Sequence, residues 1–251
     1  MDPNELARRA VEIGTVSPGA EIPIAQVIGE ANEDLGLSPD EIEATRVFLV
    51  KVLIDNSGSM QPMVDIVRKT MRLLKSELAA AAKEADDCEI LLSFDLLHGG
   101  QLQAFDRVDA CVDLCDENHR ADGDTPLIAR ARQLLGTMLA KVDQTSLAGR
   151  PAQTFTVLIS DGIADDRPLA GTVKDTITSM MSTKSHIVCG VSIGGEATST
   201  FVEMGIPQKW ILAPDKDAFA FEQAIKKVSR ASRAASKGGA KFQSIATDGY
   251  R

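Results

Sequence analysis

The chain has 251 residues, 44% of them hydrophobic and 25% charged, which is the balance of an ordinary globular protein with core to spare. Its formal net charge of −9 repels a phosphate backbone, and an aromatic content of 4% offers bases little to stack on, so nucleic-acid binding is a poor functional class for it. No apolar stretch approaches the roughly twenty residues that a membrane span requires.

The opening residues, Met1 to Ala10, carry no apolar signal-peptide core. Four cysteines in a chain of this length do not make a disulfide scaffold, and Cys88 and Cys189 lie inside apolar runs as small core residues. The expected compartment is the cytoplasm. Residues 1–45 read as an N-terminal extension with a short helix from Glu5 to Ile13, a turn at Ser17-Pro18-Gly19 and a mildly apolar stretch from Ile22 to Ile28. A strap packed on the surface of the main domain is expected there, rather than a dedicated docking arm.

The main domain is expected over residues 46–232. Its first strand is Val47–Ile54, short, rich in β-branched residues and apolar on both faces, as a strand inside a parallel sheet is. Met63, Ile66, Val67, Met71, Leu74 and Leu78 then recur at steps of three and four, one stripe of an amphipathic helix. Glu89–Phe94 is a second strand. Gln101–Phe105 alternates and follows it across His98-Gly99-Gly100, which predicts a hairpin and an antiparallel edge strand. A second helix carries Leu127, Ile128, Ala131, Leu134, Leu135, Met138 and Val142. Phe155–Ile159 and Ile187–Ile193 are further buried strands, and Phe221, Ile225 and Val228 mark a closing helix. Strands alternating with helices of this length predict a doubly wound α/β domain with a mostly parallel sheet covered on both faces. Residues 233–251 show little periodicity and read as a flexible tail.

Chemistry concentrates where three strands or loops meet a helix. The first strand ends in Asp55-Asn56-Ser57-Gly58-Ser59-Met60. Asp122-Gly123-Asp124-Thr125-Pro126-Leu127 precedes the second helix, and Ser160-Asp161-Gly162 closes a later strand. Ligands of doubly wound sheets bind beyond the carboxyl ends of the strands, so these segments lie where function is expected. Asp55, Ser57, Ser59, Thr125 and Asp161 are all hard oxygen donors, a set suited to Mg²⁺, Mn²⁺ or Ca²⁺ and not to zinc. Asn56, Met60, Asp124 and Asp165 flank them as a possible partner-binding rim, while Asp122 and Asp166 on the same loops read as solvated charges.

The order Asp-x-Ser-x-Ser, then Thr-Pro-Leu, then Asp-Gly resembles the metal-ion-dependent adhesion site of the von Willebrand factor A family. That resemblance covers residues 46–232 and implies a Rossmann-like A domain. It also implies direct metal coordination by the Ser57 and Ser59 hydroxyls, coordination by Thr125 directly or through water, and support from Asp55 and Asp161 through bridging waters. In such a site neutral hydroxyls leave the ion electron-poor, able to take an Asp or Glu carboxylate from a protein partner. The sequence departs from many relatives at Asp124, where they have glycine. Bacterial intracellular relatives work as assembly or regulatory subunits, often beside an ATPase, kinase or phosphatase. The closing helix Phe219–Ser229 is similar to the end of stress-response proteins of tellurite-resistance clusters.

Other chemistry is weaker. Cys111, Cys115 and His119 fall at a spacing that aligns them on a helix, but with His98 as the remaining candidate they match no standard zinc pattern, and a helix with half-buried cysteines is expected. Gly190, Gly194 and Gly195 fit no phosphate-binding motif. Ser57 lies in no nucleophile elbow and has no histidine at a plausible base position. A metal-dependent phosphohydrolase needs a second acid two residues after Asp55, where Ser57 stands. The expected function is therefore a metal-dependent binding module and not an enzyme, with a phosphohydrolase or a structural subunit that ignores its metal as the alternatives.

Overall fold

The computed structural model describes residues 2–29, 33–85 and 87–250. Strands β1 (Arg46–Ile54), β2 (Cys88–Leu96), β3 (Gly100–Arg107), β4 (Ala152–Ser160), β5 (His186–Ser192) and β6 (Ile211–Leu212) form one sheet in the order β3-β2-β1-β4-β5-β6. β1 pairs in parallel with β2 on one side and β4 on the other, and β5 and β6 continue in parallel. β3 alone runs antiparallel, at the edge, returning from β2 through a hairpin. This is the doubly wound, mostly parallel sheet with one antiparallel edge strand that the sequence pattern predicts. β6, at two residues, is too short to leave a sequence signal.

Helices α3 (Val64–Glu84), α7 (Ala218–Ser236) and α8 (Gly239–Asp248) pack together as one layer, and α1 (Pro3–Glu12), α2 (Glu21–Gly29), α4 (Leu127–Leu147) and α5 (Gly171–Ser182) as another. A short α6 (Thr198–Glu203) packs on β5, its Phe201 ring lying so close over Gly190 that a Cβ there would stand 2.5 Å from the ring. No helix among the described residues is long and apolar enough to cross a membrane.

The residues before β1 are integral to the second layer. Leu6, Ala7 and Ala10 of α1 and Ile24, Val27 and Ile28 of α2 are buried, and the two helices pack on α4 and α5. Arg9 grips the buried carboxylate of Asp143 on α4 with two nitrogens, at 3.0 and 2.7 Å. The end of the chain departs from the flexible tail expected for it. α7 runs on to Ser236 and α8 follows, with Phe242 fully buried edge-on against Phe48 of β1. Tyr250 closes on Trp210 with ring centroids 4.9 Å apart. Phe242 is the buried anchor of α8, with Ile245 and Ala246 partly covered beside it, and so few apolar positions do not make a visible period.

The layer between sheet and α4 contains a charge cluster in the middle of the core. Lys51, fully buried in β1, places Nζ 2.9 Å from Asp95 of β2, 3.1 Å from Glu33 and 3.1 Å from the Ser93 hydroxyl. Arg130 of α4 reaches Glu33 at 2.9 Å and Asp95 at 3.4 Å, and the Thr137 hydroxyl donates to Glu33. Burial pushes the Asp95 carboxyl up to about 6 against the pull of Lys51. Burial also works against Glu33, but Lys51 and Arg130 outweigh it and hold that group below the ordinary range. The cluster ties the segment after α2 to the sheet.

Removing one member of a buried ionic cluster strands its partners, which typically costs about 3–5 kcal/mol. Lys51→Met should therefore lower the urea midpoint by that equivalent. A Lys51→Met variant as stable as the parent would mean that water or rearrangement satisfies Asp95 and Glu33.

Candidate metal centre

The sheet order places a topological switch between β1 and β4, because the chain leaves β1 toward β2 and later leaves β4 toward β5. The loops after β1 and β4 therefore diverge and open a crevice, at the level where Ile54 pairs with Ile159. Asp55 and Asp161 stand at the two lips of that crevice, both fully buried.

Asp55 accepts the Ser57 backbone N–H on Oδ1 at 2.8 Å and the Ser160 hydroxyl on Oδ2 at 2.5 Å. Burial raises its pKa above the usual carboxylate range, against the pull of the Ser160 and Ser57 hydrogen bonds. The bond to Ser57 N bends the loop so that Ser57 and Ser59 point the same way, their Oγ atoms 3.2 Å apart. The Ser59 hydroxyl donates to Asp161 Oδ1 at 2.6 Å. Thr125 lies nearby: a Cβ on Gly162 would stand 3.9 Å from Thr125 Oγ1 and 4.0 Å from Ser59 Oγ. Ser57 and Thr125 are buried, and the group reaches solvent at Ser59.

Neighbouring side chains lock these loops together. The Asn56 amide donates to the carbonyls of His98 and Arg120 and accepts from the His98 N–H, while its backbone carbonyl takes the Asp122 N–H and Gly58 N–H donates to the Gly123 carbonyl. Asp165 accepts the Thr125 N–H at 2.6 Å, and Asp166 accepts the N–H groups of Ile128 and Ala129 at the start of α4, where a carboxylate is also favoured by the helix dipole.

These contacts redistribute the expected rim. Asn56 is only 5% exposed and its amide is spent on internal bonds; Met60, 1% exposed, is a core residue beneath the loop. Neither faces a partner, because both are consumed in shaping the loop. Asp124 is exposed, and Asp165, though exposed, already holds Thr125. Asp166, read as a solvated charge, is a helix cap. Cys111, Cys115 and His119 lie on an irregular stretch between β3 and α4 and not on a helix. Cys111 is buried with its thiol directed at the carbonyls of Leu92 and Arg107, and burial lowers the His119 pKa to about 4. No group of three or more His, Cys, Asp or Glu among the described residues has metal-holding geometry.

A hydroxyl-based cation site is of a different make, and the geometry can be tested against it. Adjacent ligands of an octahedral ion at about 2.1 Å are about 3.0 Å apart, and the wider Ca²⁺ shell spreads them to about 3.3 Å or more. The 3.2 Å between Ser57 and Ser59 Oγ fits that range. The 2.6 Å from Ser59 to Asp161 is a hydrogen bond, the contact that a supporting carboxylate would make with a hydroxyl whose lone pair faces a metal. The residues present fit a hard divalent cation held by Ser57, Ser59 and Thr125 with Asp55 and Asp161 behind them.

One participant escaped the sequence analysis. Lys216, between β6 and α7, places Nζ 2.9 Å from Asp161 Oδ2. The pairing with Asp161 holds its ammonium above the ordinary lysine range. Nothing in Pro214-Asp215-Lys216-Asp217 marks it, since only the fold brings it to Asp161. Ser160, by contrast, stands beside Asp161 in the motif and could have been read as its companion.

No protein-family model matches the sequence, and no curated protein matches it either. Among solved structures the fold is similar to the pilus adhesin SpaC from Lactobacillus rhamnosus GG in its open conformation, with a TM-score of 0.51 and 13% identity over 77% of this chain and 30% of that one. Fainter likenesses run to the PilB minor pilin of Streptococcus sanguinis (TM-score 0.48, 14% identity, 76% of this chain and 62% of that one). Another is to von Willebrand factor type A from Catenulispora acidiphila (0.44, 13%, 76% and 43%). The chain thus spans less than two thirds of the length of each. Fold and donor set together define a class: a doubly wound α/β domain with a candidate cation site at its switch point. At these identities the likeness establishes the fold and leaves the partner open.

A ligand that binds only the folded state stabilises it by about 2.7 kcal/mol at a hundredfold excess over its Kd, or about 5 °C or more in a chain this long. Saturating Mg²⁺ or Mn²⁺ should raise the melting temperature of the wild type by that order. Ser57→Ala/Ser59→Ala should melt close to wild type in EDTA and show no rise with metal. Equal shifts in both proteins would place the ion elsewhere.

Proposed function

We propose that this domain is a protein–protein interaction module in which a divalent cation, most simply Mg²⁺, captures an Asp or Glu carboxylate of a partner protein. The observation that carries the reading is the pairing of the Ser57 and Ser59 hydroxyls, with Ser59 held by buried Asp161, Asp55 buried behind Ser57, and Ser59 and Thr125 both near Gly162. Neutral hydroxyls satisfy the ion's geometry without quenching its charge, so an outside anion remains a favourable last ligand. Metal and acidic partner then bind cooperatively, each raising the affinity for the other. Ile163, next to Gly162, stands 54% exposed beside the site and offers apolar contact to whatever docks there.

Binding is favoured over phosphoester hydrolysis by the state of Asp55. Both of its oxygens are engaged, by Ser57 N–H and by the Ser160 hydroxyl, and the residue two positions on is a serine. A carboxylate so held supports a loop and is poorly placed to attack phosphorus. A role as an assembly or regulatory subunit in the cytoplasm, beside an ATPase, kinase or phosphatase, is the setting we propose for it.

Affinity capture from the native lysate tests the reading, comparing wild type with Ser57→Ala/Ser59→Ala in Mg²⁺ and in EDTA. A protein retained only by wild type with metal is the expected result. Identical captures under all four conditions would make the metal idle, and hydrolysis of a phosphoester abolished by Asp55→Asn would make the protein an enzyme.

A further inference from the structure

Lys216 stands against the cation site in a way that packing alone does not require. Its ammonium meets Asp161 Oδ2 at 2.9 Å while Asp161 Oδ1 takes the Ser59 hydroxyl at 2.6 Å. One carboxylate therefore lies between a tethered positive charge and a hydroxyl that would hold the metal. The lysine is also guided. Its stem runs along Gly194, where an added Cβ would lie 2.9 Å from Cγ, 3.1 Å from Cε and 3.2 Å from Cδ. Gly194 has φ +77°, and its N–H donates to the Pro214 carbonyl at 2.7 Å, which pins the turn after β5 to the turn that carries Lys216. A side chain at position 194 would close that path. The Gly194-Gly195 pair, which fits no phosphate motif, makes room for a lysine.

We propose that Lys216 is a built-in competitor of the divalent cation: the two share the charge of Asp161, and the lysine holds metal affinity low until an acidic partner group arrives. This inference rests on the metal-dependent reading of the site. The Lys216 ammonium already sits on Asp161, with Glu196 and Asp55 as its further acidic neighbours, so an incoming divalent ion and the ammonium compete for the charge of one carboxylate. A partner carboxylate restores the balance, either as the last ligand of the ion or by drawing the 43%-exposed Lys216 outward. Cation and partner are thereby coupled more tightly than hydroxyl ligands alone would couple them, and the domain discriminates for acidic partners.

Titration calorimetry with Mn²⁺ tests this on the full chain, in wild type, Lys216→Met, Lys216→Arg and Ser57→Ala/Ser59→Ala. Lys216→Met is expected to bind Mn²⁺ about tenfold more tightly, within the usual range of coupling between two sites. Lys216→Arg keeps the charge and is expected to stay near wild type, which separates charge from packing. Both substitutions fall on one half-exposed residue, and a melting curve in EDTA confirms that each variant is folded. If wild type binds Mn²⁺ and Lys216→Met binds no more tightly, the competitor role is overturned while the metal site stands. If neither wild type nor Lys216→Met binds while both are folded, the metal reading falls and the proposal falls with it.

Discussion

A carboxylate taken out of water is costly unless hydrogen bonds replace its hydration, and Asp55 is such a group at the centre of this domain. Its two oxygens have found two replacements, one from its own loop and one from the end of the neighbouring strand. The first sets the turn that aims Ser57 and Ser59. The second fixes Ser160, so that Asp161 follows at a defined height across the crevice. The parallel pairing of β1 with β4 makes both possible, since it brings Ile54 level with Ile159. The site is thus a consequence of satisfying one buried charge at the place where the sheet reverses its winding.

The same logic explains why the loops around the site are rigid without being regular. Asn56 bonds to two loops through one amide, and Asp165 and Asp166 hold the entry to α4 from a third. Their carboxylates and amide occupy groups that would otherwise be unsatisfied at the ends of strands and helices. Residues that look like a polar rim in sequence are therefore largely internal scaffolding. What remains for a partner is narrower: Ser59, Asp124, Ile163 and the lysine beyond them.

Much of the fold was legible because its strands are buried on both faces and so read as unbroken apolar runs. Asp55, Ser57, Ser59 and Asp161 could be placed at one end of the sheet because they directly follow two such runs, and Thr125 because it directly precedes a helical stripe. Three features were not. α5 has Val173, Ile177 and Met180 at helical spacing, but Thr172, Thr176, Thr178 and Ser179 lie among them, and such residues weaken the local case for a helix. α8 has one fully buried side chain, Phe242, with Ile245 and Ala246 only partly covered beside it, too few apolar positions to show a period. Lys51 lay in plain view within the first strand, yet its partners Glu33, Asp95 and Arg130 come from segments far apart in the chain. Side chains whose meaning depends on a distant partner are silent until the chain is folded.

Lys51 and Lys216 make an instructive pair, because each neutralises a buried aspartate and the two have opposite consequences. Lys51 is sealed, shares Asp95 with an arginine and gives its remaining protons to Glu33 and the Ser93 hydroxyl, so that its cluster has nothing to exchange with solvent. Lys216 is half-exposed, and its acid also carries the Ser59 hydroxyl. A buried pair of the first kind contributes one defined packing arrangement at the risk of a large penalty if broken. A pair of the second kind keeps its acid buried and its ammonium half in water, so the lysine can leave only when another positive charge takes its place on Asp161. The core can therefore keep a fixed network while the crevice keeps a replaceable one. A site built to exchange its charge partner belongs at the switch point, where the sheet leaves room for an outside group to enter.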